Sequence, residues 1–157
     1  MNLSAPRAAI AAALISVLAV PALAFALVTG TCRGDWNLPS FGPTGSASGV
    51  LVDANGQEAF KMDIKLQSSP VIDVLGDFGT FFGSLDDGSG AAFPQYGVSG
   101  TYGGSSLAQA GSFRGVITRQ VSPSGPIAII GRIGGKYSDP PVFPSNSKFT
   151  GQWKANL

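Results

Sequence analysis

Along residues 60–67 apolar and polar side chains alternate without a break. Phe60, Met62, Ile64 and Leu66 share one parity, and Lys61, Asp63, Lys65 and Gln67 share the other. Successive side chains of an extended strand point to opposite faces, so the stretch predicts a strand with one core face and one wet face, as in an antiparallel sheet. Similar runs follow one another through the rest of the chain. Gly49 to Asp53, Val71 to Leu75, Phe78 to Leu85, Tyr96 to Gly103, Ser112 to Gln120, Ile127 to Tyr137 and Lys148 to Ala155 all read as strands, which makes about seven or eight in total. Between the first of them and the alternating stretch, Asn55-Gly56 predicts a two-residue hairpin turn, because both central positions of such a turn need positive φ. Gly76-Asp77 and Asp86-Asp87-Gly88 mark further turns.

A second pattern lies on top of the first. An apolar-x-Gly-x-apolar unit recurs as Phe81 to Leu85, Val98 to Tyr102, Phe113 to Ile117, Ile129 to Ile133 and Phe149 to Trp153, with a weaker copy at Ala47 to Leu51. The period of two puts each glycine on the same face as the apolar residues that flank it. An inward glycine between two large inward groups leaves room for a neighbouring ring and lets the strand coil sharply, as a small barrel requires. The expected fold is therefore all-β, a small antiparallel up-and-down barrel. The units resemble those of calycin barrels, the lipocalin and avidin architectures, and the resemblance extends to these short units and to no ligand-binding motif. What it implies is a barrel able to hold a small ligand.

Ahead of the β region the pattern changes completely. Residues 8–28 are an uncharged apolar run, preceded by the single cation Arg7 in the n-region 1–7. As an anchor, with Ala8, Leu14, Leu18, Leu23, Leu27 and Val28 along its length, the run makes about 31 Å of helix, enough to cross a hydrocarbon core of about 30 Å. As a secretory signal, Pro21-Ala22-Leu23-Ala24 supplies an A-x-A exit and places cleavage before Phe25. Either way the rest of the chain is delivered to the periplasm or another extracytoplasmic space. Residues 29–47, rich in Gly, Pro and Ser, read as a linker, with Trp36 close enough to the anchor to sit at the far membrane interface. Residues 48–157 then form the β domain.

Composition narrows the chemistry. Without Arg7 the delivered chain has nine basic and nine acidic residues, and this balance argues against a nucleic-acid partner or a polybasic membrane contact. There is no histidine, which removes the commonest general base and metal ligand. Cys32 is the only cysteine, so no intramolecular disulfide can form. Arg33-Gly34-Asp35 reads as a solvated turn, and the carboxylates of Asp53, Glu58, Asp86 and Asp87 as parts of hairpin turns. Asp73 and Asp77, four residues apart across a turn, read as solvated rather than as a catalytic pair. No catalytic residue, cofactor site or metal site is assigned.

With chemistry unassigned, binding is left. The x positions of the repeat should face outward and be polar, as Ser84, Ser99, Thr101, Arg114, Arg132, Thr150 and Gln152 are. Phe82, Val116 and Ile130 break that rule and become candidate partner contacts, unless a bulge swaps faces locally. Val142 and Phe143, in the stiff segment Asp139-Pro140-Pro141-Val142-Phe143-Pro144, are two more candidates. The leading expectation is a non-catalytic accessory subunit, held to the bilayer through residues 8–28. Its β domain would dock on other membrane-protein subunits of a larger assembly, of which respiratory and photosynthetic complexes are examples. A secreted calycin-like carrier of a small ligand is the alternative, and a surface or matrix structural protein the third.

Overall fold

The computed structural model describes residues 26–37, 44–68, 76–105, 110–138 and 147–157. They form eight strands: β1 (Leu27–Asn37), β2 (Thr44–Asp53), β3 (Glu58–Ser68), β4 (Gly76–Asp86), β5 (Tyr96–Ser105), β6 (Ala110–Gln120), β7 (Ile127–Ser138) and β8 (Ser147–Asn156). Each pairs antiparallel with its neighbours in sequence, and β1 also pairs with β8, closing the sheet into an up-and-down barrel. Closure leaves no strand edge unpaired, so the backbone hydrogen bonds of every strand are taken up inside the sheet.

The strand that closes the barrel is the one the sequence hides. Residues 27–37 fall at the end of the apolar run and the start of the expected linker, yet they pair with β2 from Gly30↔Asp53 to Asn37↔Ser46 and with β8 from Leu27↔Asn156 to Trp36↔Ser147. The linker reading is thereby corrected at residues 29–37, which belong to β1, and at residues 44–47, which belong to β2; residues 38–43 lie outside the described residues. The inward positions of β1 are Val28, Gly30, Cys32, Gly34 and Trp36, too small on average to stand out as an alternating apolar set. Closure nevertheless needs small groups there: a Cβ on Gly34 would come within 2.6 Å of both Gly49 Cα and the Phe149 ring. The expected strand at Val71 to Leu75 lies outside the described residues.

The repeat does what its spacing implies. Phe81, Leu85, Val98, Tyr102, Phe113, Ile117, Ile133, Phe149 and Trp153 are all buried inside the barrel. Three of the rings lie across pairs of glycines on the two following strands. Phe81 of β4 stands opposite Gly100, which in turn stands opposite Gly115. Phe113 stands in the same relation to Gly135 and Gly151, and Phe149 to Gly34 and Gly49. A methyl group on Gly100 or Gly115 would sit 2.6 or 2.7 Å from Phe81 Cζ. The glycines are thus seats for rings, which fill the interior of a barrel of this strand number. Trp36 is the hub: its ring stacks on Tyr137 at 5.0 Å and meets Tyr102 edge-on at 5.2 Å, with Phe113 and Phe149 just beyond.

One unit departs from the pattern. The β6–β7 register shifts between Ile117 and Thr118, so that Gly131 faces Ile117 while Ile129 faces Thr118 and Ile130 is the extra residue. The bulge turns Ile129 outward, 69% exposed, and leaves Ile130 half-buried against the core.

The turns joining β2 to β3, β4 to β5 and β6 to β7, together with the start of β1 and the end of β8, make up one end of the barrel, here called the turn end. At the first of these turns the Gly56 N–H donates to the Asp53 carbonyl and the Asp53 N–H to the Gln57 carbonyl, with Gly56 at φ 82°. This is a three-residue hairpin loop closed by a left-handed glycine, one residue longer than the expected turn.

Candidate docking surface

On β4 the parity set by inward Phe81 and Leu85 sends Phe78, Thr80, Phe82 and Ser84 outward. Phe82 is 49% exposed and Phe78 is 51% exposed. Alongside them β5 presents only small outward groups: Gly97, Ser99, Thr101 and Gly103. Phe82, Ser99 and Val116 line up across β4, β5 and β6 in one row. The outer wall here is a low floor along β5 with an aromatic ridge on one side and the half-buried Val116 on the other. Toward the turn end the floor deepens over Gly97 into an open recess of about 210 Å³, with Ser84 and Thr118 beside it and Ile127 and Gln120 at its end. Two large exposed rings next to a trough of small residues are suited to receive a protruding apolar group.

The sequence-predicted contacts are distributed as follows. Phe82 faces outward, exposed. Val116 shares its row and is half-buried. Ile130 does not face outward, because the bulge described above makes it part of the core margin; Ile129 and Ile127 are exposed in its place. Val142 and Phe143 lie outside the described residues, as do Ala8, Leu14, Leu18 and Leu23 of the apolar run. Leu27 and Val28 belong to β1 rather than to a helix, Leu27 64% exposed and Val28 packed on the core. Trp36, expected at a membrane interface, is 3% exposed at the centre of the barrel's aromatic cluster. Phe78 was missed, although the parity of Phe82 two positions beyond Thr80 points to it.

The groups with chemical potential are engaged structurally. The Asp53 carboxylate accepts from the backbone N–H of Asn55 and of Gln57. Asp86 accepts from the Gly88 N–H, and Asp87 from the Ser89 N–H. Hydrogen bonds from Ser89 hold the Asp87 carboxyl below the usual carboxylate range. Among the described residues no three His, Cys, Asp or Glu side chains converge as metal ligands. Arg119 points inward at the turn end with its guanidinium 5.5 Å from the Tyr96 ring centre, a cation–π contact rather than a free charge.

Cys32 is 1% exposed, and burial pushes its thiol up to about 12. A thiol in that state is a core group and not a nucleophile. Because the unfolded chain releases this proton near pH ~8.5 and the folded barrel keeps it, stability is complete below that pH and is lost as pH rises toward the folded value. Urea titrations between pH 8 and pH 11 should show the wild-type barrel losing up to about 1.4 kcal/mol per pH unit more than a Cys32→Ala variant. Parallel curves for the two proteins would contradict this assignment.

Comparison with known proteins finds no matching family model, no similar curated protein and no similar solved structure. The functional reading therefore stands on the geometry of the barrel.

Proposed function

We propose that the protein is a non-catalytic accessory module, delivered across a membrane by its N-terminal apolar segment, that docks on a membrane-protein partner through the outer wall of β4 and β5. The observation that carries this reading is the inversion of the barrel's usual opportunities. Its interior is occupied by side chains from all eight strands, whereas its outer wall exposes Phe78 and Phe82 beside a floor of small residues. That packing weighs against the carrier reading, which needs room inside. The closed sheet weighs against assembly through strand edges.

The polarity of the wall supports a barrel that stands in water rather than spanning the bilayer. Lys61, Asp63, Lys65, Arg114 and Arg132 all project outward from strand interiors. In lipid, basic groups at mid-depth cost about 2–4 kcal/mol each. Of the apolar run, β1 takes Leu27 and Val28. A retained leader would therefore enter the barrel wall almost directly, and a processed one would begin two residues before the strand.

The test is isolation of the full chain from its own membranes in mild detergent. Wild-type protein should come off with partner subunits. Phe82→Asp should come off alone, with its stability changed by no more than a surface substitution allows, about 0.5 kcal/mol. Wild-type protein isolated without partners would overturn the reading.

A further inference from the structure

The balanced total charge of the delivered chain is not spread evenly over the barrel. Residues 110–138 and 147–157, which hold β6, β7 and β8, contain no acidic side chain. Their outward positions carry Arg114, Arg132, Lys136, Lys148 and Lys154, every one exposed. Closure then brings Arg33 of β1 into the same wall, opposite Thr150 of β8. Lys148 pairs with Asp35 of β1, and among the described residues the other five cations have no ion-pair partner. Arg132 stands directly opposite Lys154 across β7 and β8. Like charges in that position repel, so the arrangement weakens the isolated barrel and suits one that meets an anion.

A second observation falls on the same side. At the turn end four large aliphatic side chains are exposed: Leu27 on β1, Val121 in the β6–β7 turn, and Ile127 and Ile129 on β7, from 64% to 73% accessible. Leu27 is paired with Asn156, two residues past Lys154, and Ile129 is turned outward by the bulge next to Arg132. The acids of that end, Asp53, Glu58, Asp86 and Asp87, belong to β2, β3, β4 and the turn after it, on the other side. The rim is therefore apolar and basic on one side and acidic on the other. It also holds Leu27, the point at which the chain passes from the apolar run into the barrel.

We infer that this side of the turn end rests on a bilayer surface of anionic phospholipids. The four aliphatic groups enter the boundary between headgroups and acyl chains, Arg132 and Lys154 meet lipid phosphates beside them, and Arg114, Lys136 and Arg33 add longer-range attraction higher on the wall. The acids on β2, β3 and β4 tilt away from the negative surface, which fixes the barrel's orientation. Ile127, at the end of the recess over Gly97, then marks the boundary between the lipid contact and the partner-docking wall, whose Phe78 and Phe82 lie beyond β5 from it. The inference rests on the reading that the chain is delivered to a membrane and does not need a protein partner.

The test uses the purified full chain with vesicles and nothing else, so its outcome is separate from that of partner docking. An environment-sensitive fluorophore is placed on Ile129→Cys, or on Thr101→Cys of the opposite wall, while the buried Cys32 stays unlabelled. Vesicles are made of phosphatidylcholine alone or with one-third phosphatidylglycerol, each with a lipid-borne quencher. The Ile129 label should shift to the blue and be quenched in the anionic vesicles, and the Thr101 label should not respond. Replacing Arg132 and Lys154 by Gln should lower the docked-to-undocked ratio roughly thirtyfold, about fivefold for each cation, with the circular dichroism spectrum unchanged. Equal quenching at the two sites, equal quenching in the two vesicle types, or indifference to the double Gln substitution would each overturn the inference.

Discussion

Trp36→Ala should destabilise the barrel by about 3–5 kcal/mol and lower its melting temperature by roughly 10–20 °C. The indole is 3% exposed and touches the rings of Tyr102, Phe113, Tyr137 and Phe149, which come from four other strands. Truncation removes the one group that all four share, and rings seated on glycines cannot close in on the space left behind. Trp36→Phe should be much milder, within about 1.5 kcal/mol, since it keeps a ring in place and removes a buried indole N–H that has no hydrogen-bond partner among the described residues. Thermal and urea unfolding of the two variants checks this. A Trp36→Ala variant as stable as wild type would place Trp36 outside the core, as its expected position at a membrane interface did.

The second large effect separates two adjacent glycines. Gly135 faces inward under Phe113, and a Cβ there would lie 2.6 Å from Gly151 Cα and 2.9 Å from Phe113 Cε1, with the Thr150 carbonyl closer still. Gly134 faces outward, and its nearest such contact is the Phe113 carbonyl oxygen at 3.2 Å. Gly135→Val should cost about 3 kcal/mol or more, because neither the facing backbone nor a ring already wedged between strands can give way. Gly134→Val, in contrast, should stay within about 1 kcal/mol, since β-branched residues suit a strand's outer face. Expression and urea midpoints of the two variants provide the comparison. Equal tolerance at both positions would mean that the rings do not sit on the glycines.

These two predictions also mark what could be read in the chain beforehand. The alternation at Phe60 to Leu66 and the apolar-x-Gly-x-apolar units were enough to predict a meander of coiled strands and the inward face of nearly all of them. They were enough because each inward set contains large apolar groups at a strict period of two. The first strand escaped because its inward set is mostly Gly and Cys and begins inside an apolar run that reads as a leader. Without β1 the barrel's closure, the burial of Trp36 and the company of Arg33 were all out of reach. Ile129 and Ile130 exchanged faces through a one-residue bulge, which a parity argument can suspect but not locate. Phe82 was found because its parity was right. The basic wall was not, since a net count hides the acid-poor C-terminal part of the chain, and Arg33 joins its cations only when β8 and β1 are set side by side.

Isolation of the protein from its own membranes, as wild type and as Phe82→Asp, tests the central claim most directly. The account predicts that in mild detergent the wild-type chain elutes in a complex with other membrane subunits and the variant elutes at its monomer size, with melting temperatures that agree within a few degrees. A wild-type chain that elutes alone, or a Phe82→Asp chain that keeps every partner, would contradict docking through the outer wall of β4 and β5.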